Sequence, residues 1–383
     1  MSDRQADNRQ VLDAGPTPAL QVTPAAAGVA TDRQMGTLPD CCTVSRRALM
    51  GALVASWAVG AAQTGHSAPA PRPSSMRNIR LAFCGQLLCV VPYEVARAHG
   101  LFEAEGLNVE LVYTRGGSAA MQAMVGGAVD YAATSFDVAL QAFARGAAIV
   151  RFLTTGRLPL FALATSPRTA GQIRELRDLV GRTVGISAPG NADHVLVRYL
   201  LVRTGVDPRR LEFAALGTNL FEAVRVGHVD AGMVQEPALS LLTESGGRVL
   251  VNFMDLSDST RYLGGPYEFM GVAVRRGEFA SRRPEMLALG RALERALKFI
   301  HQAPASESIQ ALPKALVAGG DVERLAAALE RHRRSLYPET VRIDPDSTRR
   351  VVESHELAGL LPAGFSWEGL VDESVGSELY AAG

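Results

Sequence analysis

A helical run beginning at Gly117-Ser118, a stop at Gly127 and a strand entered through Val129-Asp130 recur in register 100 residues later. There the same positions are Gly217-Thr218, Gly227 and Val229-Asp230. That offset is too long for a solenoid and fits two similar lobes. In this reading Ser118 and Thr218 cap their helices and the glycines end them. Asp130 and Asp230 open the following strands as turn residues.

The rest of the chain has the same grammar. Apolar runs at 79–83, 109–114 and 129–134 read as strands, alternating with helical patterns at 91–99, 118–125 and 135–145, the last capped by Ser135. Strands at 181–187 and 211–216 with a helix at 192–203 repeat the order. Such alternation predicts α/β lobes, each a mostly parallel sheet flanked by helices. A long strand over 267–276 is expected to pair with 160–165, giving two crossing segments that hinge the lobes. Residues 278–358 read as helical, including a helix with Pro284 in its first turn and Leu287, Leu293, Leu297 and Ile300 on one face. The expected organisation is a discontinuous first lobe at 77–160 and 268–383, with the second lobe at 161–267.

The first seventy residues belong to neither lobe. Residues 1–44 are rich in Ala, Pro, Thr and Gln without amphipathic period and read as a disordered extension. Ser45, Arg46 and Arg47 precede the Ala/Gly-rich run 48–62 and the breaker-rich "SAPAPRPSS", which is the form of a twin-arginine signal peptide over 45–70. The apolar run is shorter than the roughly 20 residues of a spanning helix, so the expectation is export to the periplasm rather than a permanent anchor. Cys41 and Cys42 would leave with the signal. The spacing of Cys84 and Cys89 leaves both a small disulfide loop and two thiols open.

The formal net charge is zero and only Lys298 and Lys314 are lysines, so no basic footprint suggests nucleic acid. The chain has no GxxxxGK[ST], no glycine-rich dinucleotide fingerprint and no GxSxG elbow; "GISAPG" has its second glycine one position too late. His194 stands seven residues from Ser187 without a third partner and reads as a capping or surface histidine rather than a base. No two histidines share metal-ligand helical spacing. No catalytic residues, metal or cofactor are therefore expected. In open α/β lobes ligands lie beyond the carboxyl ends of the strands. Here those positions are Cys84-Gly85-Gln86, Thr134-Ser135, Ser187 to Asn191, Thr218-Asn219 and Gln235-Glu236.

Four stretches, "LAFCGQLLCVVPYEVARAHGLFEAEGLNVELV", "GGAVDYAATSFDVALQAFARG", "ELRDLVGRTVGISAPGNADH" and "GHVDAGMVQEPA", together resemble solute-binding proteins of nitrate/sulfonate/taurine-type ABC importers. The resemblance runs from about Ile79 to the "WEGLVDES" tail. It implies a type II periplasmic-binding-protein fold that closes by hinge motion on a small-molecule solute. It also implies docking, as a monomer, on an ABC permease with its ATPase subunit. By position, the family's ligand loops fall on Cys84, Gln86, Thr134, Ser135, Ser187, Asn191 and Glu236. The aromatic residue that often precedes the family's "EP" pair is Gln235 here.

One relative of this fold is an enzyme, the thiamine-pyrimidine synthase, which uses a pyridoxal-phosphate lysine in its first lobe and a cysteine-rich iron motif. Between Arg77 and Val274 this chain has no lysine, and arginine cannot form a Schiff base. That disfavours the synthase. A ligand-sensing partner of a membrane receptor, using the same clamp, is the other alternative. Because Asp193 and Glu236 fall in or beside the ligand loops, the expected solute is neutral or zwitterionic with an amine or ring N–H, and a sulfonate second.

Overall fold

The computed structural model describes residues 76–85, 87–317 and 321–381. The extension 1–44, the leader 45–70 and Gln86 lie outside the described residues.

The chain enters through β1 (Arg77–Cys84), α1 (Leu87–Ala98), α2 (Leu101–Ala104), β2 (Leu107–Thr114), α3 (Gly117–Val125), β3 (Tyr131–Ser135), α4 (Phe136–Ala144) and β4 (Ile149–Thr154). It then passes to β5 (Ala162–Thr165), β6 (Thr183–Ile186), α5 (Ala192–Arg203), β7 (Glu212–Ala215), α6 (Leu220–Arg225), β8 (Ala231–Val234), α7 (Ala238–Glu244), β9 (Val249–Asn252) and α8 (Leu256–Leu263). Strand β10 (Met270–Arg275) returns to the first sheet. Helices α9 (Arg283–Gln302), α10 (Ala305–Gln310), α11 (Lys314–Val317), α12 (Val322–Leu336), α13 (Pro345–Leu357) and α14 (Ser374–Ala381) complete the chain.

Two five-stranded sheets result, ordered β2-β1-β3-β10-β4 and β7-β6-β8-β5-β9. In each, the first three strands are mutually parallel, and the fourth, β10 or β5, runs antiparallel to both neighbours. The sheets are thus mixed, each with one reversed strand. Every residue of β3 and β4 is buried, as a sheet covered on both faces requires. Burial of side chains such as Phe83, Tyr131, Leu163 and Met233 stabilises by about 1.5–3 kcal/mol each.

The 100-residue repeat has a physical cause. Asp130 donates its amide to the Arg80 carbonyl at 2.9 Å and accepts the Arg80 amide on Oδ2 at 2.7 Å. Asp230 does the same with Thr183, at 2.9 Å and 2.9 Å. Each aspartate therefore ties the start of the third strand to the first. Before each, Gly127 and Gly227 adopt φ of 79° and 74°, which glycine takes without steric cost. The caps are a correction. The Gly116 backbone occupies the cap position of α3 and no side chain caps it, while Thr218 lies inside a short 3₁₀ turn, Gly217–Asn219, also without a side-chain cap.

The crossing strand is the other correction. Residues 267–276 do not pair with 160–165, because β10 spends its hydrogen bonds on β3 and β4 while β5 spends its own on β8 and β9. The segments that run side by side are residues 155–157, just after β4, and residues 267–270, which lead into and begin β10. The Thr155 amide reaches the Met270 carbonyl at 2.7 Å, Phe269 reaches Gly156 at 3.0 Å and Tyr267 reaches Arg157 at 2.8 Å.

Helix α1 starts four residues before the expected 91 and runs through Pro92. Proline leaves the Leu88 carbonyl without its helical donor. The Tyr337 hydroxyl supplies one at 2.7 Å.

Candidate functional site

The carboxyl ends of β1, β2, β3, β6 and β7 converge on a cleft of about 410 Å³. Cys84, Gly85 and Cys89 contribute from β1 and α1, Arg115 to Ala119 from the β2–α3 turn and the first turn of α3, and Ser135 and Val138 from the start of α4. The opposite wall is Ser187, Ala188, Asn191 and Ala192 with Gly217 and Thr218. Phe161, Phe269 and Met270, from the chain next to the paired crossings, lie between the walls.

The second-lobe wall is built around one buried carboxylate. Asp193, in the first turn of α5, accepts both the Ser187 amide and the Ser187 hydroxyl, the latter at 2.9 Å. Burial pushes its pKa up to about 6, against the lowering effect of these bonds. Asn191 stands at the cap position of α5 but makes no side-chain cap bond. Its amide nitrogen donates instead to Ser187 Oγ at 3.0 Å, and its carbonyl oxygen accepts from Ser118 Oγ at 2.9 Å. The chain Ser118–Asn191–Ser187–Asp193 therefore spans the cleft from one wall to the other. The turn ahead of it needs Gly190, at φ 81°. His194 takes the Gly190 amide on Nδ1 at 3.1 Å, and burial pushes its pKa down to about 4, so near neutrality it is an uncharged turn cap.

Of the residues expected from sequence, the cleft brings together Cys84, Ser135, Ser187, Asn191 and Thr218. Thr134, Asn219, Gln235 and Glu236 do not line it. Thr134 is fully buried behind Ser135, and its carbonyl accepts from Arg151 at 2.7 Å. Glu236 is buried at the start of α7, where it accepts the Ser240 amide and hydroxyl at 3.1 Å each. It lies 3.8 Å from Arg331 and 4.0 Å from His332 of α12.

The two carboxylates that favoured an amine-bearing solute are thus committed elsewhere. Sequence reasoning missed Arg115, Gly117, Ser118, Cys89 and the apolar floor. The strand-end rule finds Arg115 once it is applied to β2 as well as to β1 and β3. Arg115 is exposed at the cleft and is the one charged residue among its described lining. Beside it the starts of α3, α4 and α5 line the cleft through Gly117, Ser135 and Asn191, and a helix start favours an anion. Cys84 and Cys89 are two buried thiols in contact, and burial raises the pKa of Cys89. Among the described residues no three His, Cys, Asp or Glu side chains converge to hold a metal ion.

The NMT1/THI5-like family model matches residues 90–307, more than half of the chain. The chain belongs to the NMT1/THI5-like family. No curated protein sequence matches it. Among solved structures, a protein of Bordetella bronchiseptica RB50 is 25% identical, with a TM-score of 0.71 over 80% of this chain and 97% of that one. The alkanesulfonate-binding protein SsuA from Xanthomonas axonopodis pv. citri, bound to MOPS, is 21% identical, with a TM-score of 0.62 over 78% and 99%. The periplasmic nitrate-binding protein NrtA from Synechocystis PCC 6803 is 15% identical, with a TM-score of 0.61 over 80% and 89%.

The fold of this NMT1/THI5-like chain is therefore the two-lobed periplasmic-binding-protein fold, and its structural neighbours are largely binding proteins of ABC import systems. Among the described residues no helix is long and apolar enough to cross a membrane. Lys298, one of the two lysines, sits on α9 beside a separate depression with Arg157, His301 and Arg334, not in the cleft.

Proposed function

We propose that the chain is an exported solute-binding protein that closes its lobes on a small organic anion and delivers it to an ABC importer. The lobes are residues 77–160 with 268–383, and 161–267. Export uses the twin-arginine-type leader, and the partners are a permease and its ATPase subunit, with the protein acting as a monomer. The observation that carries the reading is the charge of the cleft. Arg115 and three helix starts face a space of about 410 Å³ from which both nearby carboxylates are turned away.

A sulfonate or carboxylate head on Arg115 with a short apolar body against Phe161 and Met270 satisfies both halves of that lining. An ordinary ligand pocket is about 300–1,000 Å³, so the solute is small. The synthase reading lacks a lysine in the cleft, which supports binding over catalysis.

The test is thermal unfolding of the exported chain against matched pairs of small sulfonates or carboxylates and their neutral isosteres. An anion at 100 times its dissociation constant stabilises by about 2.7 kcal/mol. Equal stabilisation by the neutral partners, or none by any anion, contradicts the proposal.

A further inference from the structure

Next to the cleft floor lies a buried charge cluster that the clamp itself does not require. Arg151 of β4 is fully buried. Its Nη1 donates to the Thr134 carbonyl at 2.7 Å and its Nη2 to the Phe269 carbonyl at 3.0 Å. It thereby ties the strand end before Ser135 to the crossing segment before Met270, and both segments line the cleft. The Phe269 carbonyl also accepts the Phe136 amide, the first of α4, at 2.7 Å.

Two buried carboxylates feel this one guanidinium, Glu268 in direct contact and Asp137 through its charge alone. Glu268, on the crossing segment, stands 3.5 Å from Arg151 Nη2. Asp137, in the first turn of α4, accepts the Tyr267 hydroxyl at 2.7 Å and lies 3.9 Å from His355 Nε2 of α13. The other titratable groups facing the cluster are Tyr93 of α1 and Asp344 at the start of α13. Asp137 Oδ2, Glu268 Oε1, Arg151 Nε and His355 Nε2 are all buried without a hydrogen-bond partner. Two anions and one cation out of water carry an uncompensated charge, which one proton on either carboxylate removes. Burial acts accordingly: it raises the Glu268 pKa to about 7, raises that of Asp137 and lowers that of His355.

We propose that this hinge cluster is a proton-binding site coupled to the cleft, so that capture of an anion takes up a proton and acid strengthens capture. The inference rests on the anion-binding reading. An anion held at Ser135 faces the start of α4 from the cleft while Asp137 occupies its first turn from inside, and protonating the carboxylate pair relieves the repulsion. By linkage the effect is reciprocal.

The test uses the exported chain and ethanesulfonate, which does not titrate near neutrality, in calorimetry with two buffers of different ionisation heat. The expected result is net proton uptake on binding and a loss of affinity of about fivefold or more from pH 6 to pH 8. Glu268→Gln and Asp137→Asn should each abolish uptake and flatten the profile while binding persists. Binding without uptake, or uptake that survives both substitutions, overturns the proposal.

If ethanesulfonate binds at no pH, the anion reading is what fails, and infrared spectroscopy without ligand judges the proton site. In the Asp193→Asn background, which removes the other carboxyl with a pKa raised to about 6, a protonated-carboxyl band lost between pH 6 and 8, and missing when either Glu268→Gln or Asp137→Asn is added, supports the site. Absence of that band from the Asp193→Asn chain overturns it.

Discussion

Asp193 shows how one side chain's direction decides chemistry. As residue types, Asp193 and Glu236 beside ligand loops suggest a cation-bearing solute. Which way a carboxylate points depends on the partners that the fold brings to it, here Ser187 and Ser240, and spacing alone does not contain that.

A pH prediction follows with a definite sign. The Asp193 pKa is raised to about 6 in the folded chain. Its contribution is therefore present below the ordinary carboxylate value near 4 and is lost as pH rises through about 6. The unfolding midpoint of Asp193→Asn relative to the unsubstituted chain should rise with pH across that window. A constant difference contradicts the assignment.

The strand-start aspartates make a second prediction at this scale. Removing either carboxylate leaves a strand amide without its acceptor. Asp130→Ala and Asp230→Ala should each cost about 1.5–3 kcal/mol in urea unfolding, and the asparagine variants less, since an amide oxygen can still accept.

Among the elements, α1 carries its own test. Tyr337 donates to the carbonyl that Pro92 leaves open, so Tyr337→Phe should destabilise by about 1–3 kcal/mol. In the Pro92→Ala background the helix supplies that donor itself, and the same substitution should cost much less, a coupling that a double-mutant cycle reads directly. Independent, additive effects would contradict this role for Tyr337.

Element order was legible in the sequence because apolar runs, glycine stops and the 100-residue repeat are local signals. The helix 192–203 falls where its pattern places it. Pairing of the crossing strand was not legible. Strand β10 has the composition to pair with any extended partner, and only the competition for its two edges, won by β3 and β4, decides the register. Ser118 was misread as a cap for a related reason. Its hydroxyl finds Asn191 across the cleft, 73 residues away, a contact that no local motif encodes.

For the whole molecule, two lobes joined by two side-by-side crossings enclose a cleft whose described lining carries one charged side chain, Arg115. The Ser118–Asn191 bond is a direct polar link between its walls, so it should matter to closure more than to folding. Ser118→Ala should weaken solute affinity while leaving the unfolding midpoint of the ligand-free chain nearly unchanged.

The central claim is that charge in the cleft selects an anion through Arg115. The most direct measurement is the affinity of the exported chain and of Arg115→Gln for a small organic anion and its neutral isostere. If a hydrogen-bonded charge contributes about 1.5–3 kcal/mol, the substitution should cost roughly tenfold to a hundredfold for the anion and almost nothing for the isostere. An equal loss for both, or an unchanged anion affinity, would contradict the account.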